Sequence, residues 1–159
     1  MLLDGDNLVP RFLMFACLLG LAFGSGTGPV MAETSDSVEA ARAAALQIGH
    51  ALRVSDLRTL RPHLPERGKV QVRLEVMGPA DGFFSAGQVE ALLGEFLQHG
   101  SVRSFDLLAV ENQDDRYALA RGRATLTDRD GRPARVELHL AFEPEGERWV
   151  LREIRETRP

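Results

Sequence analysis

The stretch YALARGRATLTDRDGRPARVELHLAF, Tyr117 to Phe142, decides the fold. Val136, Leu138, Leu140 and Phe142 alternate with Arg135, Glu137 and His139. Side chains on a strand point to opposite faces with a period of two, so the apolar set faces a core and the charged set faces away. Before it, Ala118, Ala120, Gly122 and Ala124 share one face, and Tyr117, Leu119, Arg121 and Arg123 share the other. Asp128, Arg129, Asp130 and Gly131 supply a turn between the two runs. Cross-strand partners lie on the same face of a sheet. The register that satisfies both runs sets Ala124 opposite Val136, Arg123 opposite Glu137 and Arg121 opposite His139; a slip by one residue would bury two arginines. The inner face then carries a row of small residues beside a row of large ones. That row either lets another element pack close or leaves a cavity.

Working outward, Val102 to Glu111 precedes this hairpin as a third strand, and Arg148 to Glu156 follows it as a fourth. With no helix between them, these strands are expected to be antiparallel neighbours. Trp149 and Leu151 align with Phe142 and Leu140 in this register. Strict alternation then turns Glu153 inward and Ile154 outward, unless a bulge restores Ile154 to the core. Further upstream, Ser85 and Gln88 form a capping box for a helix whose apolar stripe is Val89, Leu92, Leu93, Phe96 and Leu97, closed by Gly100. Lys69 to Met77 alternates as a half-buried strand. Gly78, Pro79, Asp81 and Gly82 read as the turn after it. Val38, Ala41, Ala45, Ile48 and Leu52 recur at helical spacing behind a capping-type start at Asp36 and Glu39, with Glu33 to Ser37 as a polar leader. A second short helix fits Ser55 to His63, with Ser55 as its cap.

The N-terminal run Phe12 to Phe23, FLMFACLLGLAF, is uncharged but shorter than the roughly 18 apolar residues of a membrane span. Helix breakers from Gly24 to Pro29 follow it, and Val30-Met31-Ala32 offers a signal-peptidase site. Residues 1–32 are therefore expected to be a signal peptide and residues 33–159 a single domain, periplasmic or secreted. Asp4 and Asp6 stand where such a leader carries positive charge; initiation at Val9 would leave Arg11 to supply it. A lipoprotein reading would need Cys17 as the acylated residue, but Met14-Phe15-Ala16 makes a poor lipobox. Cleavage removes Cys17, the only cysteine, so disulfide and thiol chemistry are excluded from the mature domain. No stable membrane span is expected after the cut. The net charge of -4, without basic clusters, argues against nucleic-acid binding.

Two helices, a strand, a third helix and a run of strands closing on Trp149 form a pattern with a known counterpart. The segment Ala44 to Leu64 and the Trp149 strand resemble the opening helices and closing strand of the nuclear transport factor 2-like (cystatin-like cone) superfamily. Phe84 to Val89, Glu95-Phe96-Leu97, Arg103-Ser104-Phe105, Tyr117 to Gly122 and Arg135-Val136 resemble an exported bacterial family of unknown function within it. The resemblance implies an α+β fold, with N-terminal helices packed in a strongly curved antiparallel sheet, and a homodimer through that sheet. Fold alone fixes no function, because the superfamily hosts isomerases, dehydratases, transport factors and secretion-system parts.

No residue set compels a reaction. His50, His63, His99 and His139 stand apart without zinc-ligand spacing, so neither a metal nor another cofactor is expected. Asp128 to Gly131 resembles the start of a calcium loop, but His139 stands where the closing glutamate belongs. Isomerase relatives use a carboxylate base with a tyrosine inside an apolar pocket, and the only tyrosine, Tyr117, falls on the outer face. The expectation is a non-catalytic accessory or binding module, using either the cone cavity or the outer sheet face to hold a small molecule or a protein. Phe142, Trp149 and Glu153 are the candidate cone-lining residues. The alternatives are a small isomerase- or dehydratase-type enzyme built on Glu153 with His50 or His99, and a subunit that self-associates through Arg121, Arg123, Glu137 and His139.

Overall fold

The computed structural model describes residues 30–113 and 116–159; the expected leader run Phe12 to Phe23, and Asp114 and Asp115, lie outside the described residues. Helix α1 (Val30–Val54) is followed by a short 3-10 helix (Leu57–His63), strands β1 (Val70–Leu74) and β2 (Ala80–Phe84), and helix α2 (Ala86–His99). Four long strands complete the chain: β3 (Ser101–Gln113), β4 (Tyr117–Thr127), β5 (Pro133–Glu145) and β6 (Arg148–Thr157). They form one six-stranded sheet in the order β2-β1-β6-β5-β4-β3. Every pairing is antiparallel except β1 with β6, so the sheet is mixed rather than purely antiparallel.

The register read from the sequence is the observed one. Ala124 pairs with Val136, Arg123 with Glu137 and Arg121 with His139. Ala118, Ala120, Ala124, Val136, Leu138, Leu140 and Phe142 are all fully buried. Between the strands, Asp128 Oδ1 accepts from the backbone N–H of Asp130 (2.9 Å) and Arg132 (2.8 Å), and Gly131 takes φ +78°. This is an Asx-stabilised hairpin turn, not a calcium loop.

Three local readings are corrected, and the choice left open in the last strand is decided. Helix α1 runs back to Val30, because Met31, Ala32 and Glu33 are good helix formers and outweigh the cap signature at Asp36. The cap of the 3-10 helix is Asp56, not Ser55. Its carboxylate accepts from Arg58 N (3.1 Å) and Thr59 Oγ1 (3.0 Å), while Ser55 takes a positive φ of 56° to reverse the chain. Asp81 and Gly82, read as turn, belong to the edge strand β2, paired from Ala80 with Leu74 to Phe84 with Val70. Finally, the β5–β6 ladder carries a bulge at Arg152. Glu153 therefore pairs with Ala141 and Ile154 with Leu140, while Leu151 meets Phe142 and Trp149 meets Pro144. Ile154 enters the core at 1% exposure. Trp149 thus sits two pairs nearer the strand end than the alignment with Phe142 implied.

Helix α1 lies along β3 with its alanine face inward. Two bulges in β3, at Arg103 and Leu108, bend that strand. Between them Phe105 pairs with Ala124 and sends its ring over the neighbouring Gly122. A Cβ built at Gly122 would overlap that ring, and so would one built at Gly49 on α1. The small-residue row therefore does not leave a void beneath Gly122: an aromatic ring fills it, held between two glycines. Gly122→Ala should cost about 1–3 kcal/mol through overpacking. Phe105→Leu in the same chain should recover part of that loss in a double-mutant cycle read by urea denaturation. Wild-type stability for the single variant would refute this packing.

Candidate functional site

A cone of this kind offers three places for function: its interior, its mouth and the outer face of the sheet. The interior is apolar. Phe96, Phe142, Leu138, Leu140 and Ile154 are fully buried within one cluster that includes α1. Phe142, expected to line a cavity, is instead a core residue at 0% exposure.

Glu156 is the one charged residue buried among those described, at 6% exposure. It faces inward beside Leu138 on β5. Its carboxylate accepts from the backbone N–H of Val76 at 2.9 and 3.1 Å, Met77 at 3.1 Å and Glu75 at 3.3 Å. Those donors belong to the loop after β1, where no ladder partner satisfies them. A buried charge is tolerated only when hydrogen bonds replace its water, and this one is fully committed to that structural task. Sequence reasoning missed Glu156 because its inward position depends on the Arg152 bulge, which shifts alternation by one residue.

The same bulge places Glu153 on the outer face. Its side chain is 30% exposed and 3.9 Å from Arg155 Nε. No hydrogen bond or ion pair among the described residues joins it to His50 or His99. His50 is exposed on α1 with Arg53 Nη2 3.3 Å from its Nδ1, and His99 is exposed at the end of α2, 3.3 Å from the Glu95 carbonyl. Tyr117 is also on the outer face. Partial burial raises its phenol pKa, and the carboxylates of Glu153 and Glu143 raise it further. The components of an acid–base site are thus dispersed. Among the described residues no three His, Cys, Asp or Glu side chains gather as a metal-ligating set.

The mouth holds Trp149, partly buried at the rim. With Ala43 and Ala44 of α1 and Pro62 and His63 of the 3-10 helix it lines a shallow cleft of about 260 Å³. His63 Nε2 lies 2.7 Å from Gln47 Oε1, and its ring also bonds the Trp149 backbone. The histidine therefore ties three elements together. Burial lowers its pKa below the ordinary 6.5, the Trp149 backbone opposes that shift, and Arg148 adds to it.

On the outer face, sheet register aligns three guanidinium groups and one imidazole. Arg121, His139, Arg155 and Arg73 are successive cross-strand partners on four strands. The row on one side holds Asp106, Arg123 and Glu137, and the row on the other holds Glu111 and Glu153. Arg123 Nη2 donates to Glu137 Oε1 at 3.3 Å. Burial lowers the His139 pKa, and Arg155 and Arg121 on either side add to that, while Glu137 and Glu153 oppose it.

No protein-family model matches the sequence, and no curated protein does. Solved structures do match. A DUF4783 family protein from Bacteroides uniformis is 14% identical, with 72% of this chain and 95% of that one covered at a TM-score of 0.57. An NTF2-like family protein from Streptomyces avermitilis named as a dehydratase is 14% identical, covering 79% and 98% at 0.61. A ketosteroid isomerase-like protein from Erwinia carotovora is 11% identical, covering 78% and 98% at 0.59. The chain has the nuclear transport factor 2-like fold.

Both lowered histidines give the fold a pH dependence of defined sign. A histidine whose folded pKa lies below its unfolded value binds protons more readily when unfolded. Its stabilising contribution is complete above about 6.5 and is lost as pH falls below that value. The melting temperature should therefore fall between pH 7.5 and 5.5, and His63→Gln should flatten the slope. An unchanged slope in that variant would contradict the assignment.

Proposed function

We propose that this nuclear transport factor 2-like chain is an exported, non-catalytic binding module, with residues 1–32 as signal peptide and residues 33–159 as one domain working at its surface. The observation that carries the non-catalytic reading is the state of the interior. Phe105 fills the space under Gly122, and the one buried carboxylate, Glu156, is bound to three backbone N–H groups. General acid–base catalysis needs a titratable group within hydrogen-bond reach of a bound substrate, and among the described residues neither the group nor the space is free in the interior.

Export is supported by the leader composition. Among the described residues no helix is long and apolar enough to cross a membrane. Expressed with its leader in a Gram-negative host, the protein should be recovered from the periplasm with Glu33 at its N-terminus, read by intact mass. That form should not accelerate isomerisation of a β,γ-unsaturated ketosteroid or dehydration of a β-hydroxy carbonyl compound. Retention in the cytoplasm would remove the export reading. Turnover abolished by Glu153→Gln or Glu156→Gln would replace the binding module with an enzyme.

The outer face favours a second reading, self-association. The row of Arg121, Arg155 and Arg73 lies between a mixed row of net negative charge, Asp106, Arg123 and Glu137, and the row of Glu111 and Glu153, so a second copy offset by one row meets opposite net charge across the interface. Light scattering should then report a dimer at low salt that dissociates as salt rises, and a monomer at both would exclude it.

A further inference from the structure

We propose that the seam between α1 and β3 is a binding site for a small amphipathic monocarboxylate, its head held by Arg53 and Arg103 and its apolar body lying on Phe105. The proposal rests on the binding-module reading and names a ligand class for it.

The seam contains a cleft of about 320 Å³, within the range of small-molecule sites. Its floor is set by Phe105 and Gly49. The ring is held between Gly49 and Gly122, so it can neither sink into the interior nor swing away from the helix. An aromatic surface fixed in this way binds a flat or acyl body without first being ordered. Leu46, also lining the cleft, is 48% exposed, leaving apolar area there that no element of the domain covers.

Several arginines pair with carboxylates: Arg61, Arg123, Arg148 and Arg152 of the helices and sheet, and Arg129 of the β4–β5 turn, each lie within 3.3 Å of one. Among the described residues, Arg53 and Arg103 have no carboxylate within ion-pair distance. Arg53 Nη2 meets His50 Nδ1 at 3.3 Å, and Arg103 Nε donates to Thr127 Oγ1 at 3.2 Å. Arg103 is the additional residue of the first β3 bulge, a device that redirects a side chain out of strand alternation. Guanidinium groups match a carboxylate through paired N–H donors.

Asp106 lines the same cleft, and among the described residues it has no ion-pair partner either. Two guanidinium groups against one carboxylate leave one positive charge in excess. That balance favours a monoanion and disfavours phosphate or a dicarboxylate.

The test is an amide-shift NMR titration of the purified protein with sodium phenylacetate, with 2-phenylethanol and inorganic phosphate as comparison probes. Saturable shifts should be confined to residues 46–53 and 103–106. The dissociation constant should rise about tenfold in Arg53→Gln or Arg103→Gln, as expected for losing a hydrogen bond to a charged group. Both positions are exposed, and the same spectra report whether each variant keeps its fold. Asp106→Asn should tighten binding, and both comparison probes should bind more weakly than phenylacetate. Shifts outside the seam, affinity indifferent to either arginine, phosphate binding as tight as phenylacetate, or no saturable shift with phenylacetate or hexanoate would each overturn the proposal. Failure here leaves the interior as filled as before, so the non-catalytic reading is judged separately by the turnover assay.

Discussion

The architecture depends on a ring placed between a helix and a sheet. For Phe105 to lie there, the helix must give up a side chain at Gly49 and the sheet must give one up at Gly122. Protein interiors pack at near-crystalline density, so one misplaced methyl group in such a sandwich must be absorbed by movement of the helix or the strand. Helix α1 can therefore approach β3 and β4 only at this glycine pair, and its alanine-rich face keeps the approach close along its length. The two bulges flanking Phe105 serve the same end. They bend the edge strand so that one residue, out of thirteen in β3, is delivered under the helix.

How much of this was legible in the sequence depends on which kind of constraint was at work. The β4–β5 register was readable because a one-residue slip would bury arginines, a penalty large enough to leave one answer. The capping box at Ser85 and Gln88 was readable because it is local; Gln88 Oε1 accepts from Ser85 N at 2.9 Å. Strand β2 was not, since Gly78, Pro79, Asp81 and Gly82 are turn formers, and an edge strand needs only one paired side. The final strand marks the boundary. Alternation alone leaves open whether a bulge lies between Trp149 and Ile154, because the choice is settled by β5, β1 and the core together. Arg152 at the bulge bonds Glu143 and Glu145 on the neighbouring strand and the Arg67 carbonyl, distant in sequence.

That bulge also separates two glutamates three residues apart. Glu153 goes outward to Arg155, and Glu156 goes inward to the loop after β1. Its position was the least accessible of all to sequence reasoning, since an inward glutamate reads as an error of register. Physically it is a tie. The parallel β1–β6 pairing covers only Gln71 to Arg73 against Glu153 to Arg155. Beyond it the chain leaves the ladder, and the Glu156 carboxylate supplies the acceptors that a neighbouring strand would otherwise provide.

These two devices bear on function in the same direction. An enclosed site needs space and a polar group left unsatisfied until a ligand arrives. Here the ring of Phe105 occupies the space, and the backbone around Val76 occupies the polar group. The polar groups left to meet a ligand are at the surface: the arginines of the seam, with Leu46 beside them. Phe105 joins the two regimes. One side of its ring closes the interior against Gly122, and its exposed portion floors the seam. The substitution that would open the cone for chemistry would therefore also remove the floor of the surface site, so this domain can keep one of the two but not both.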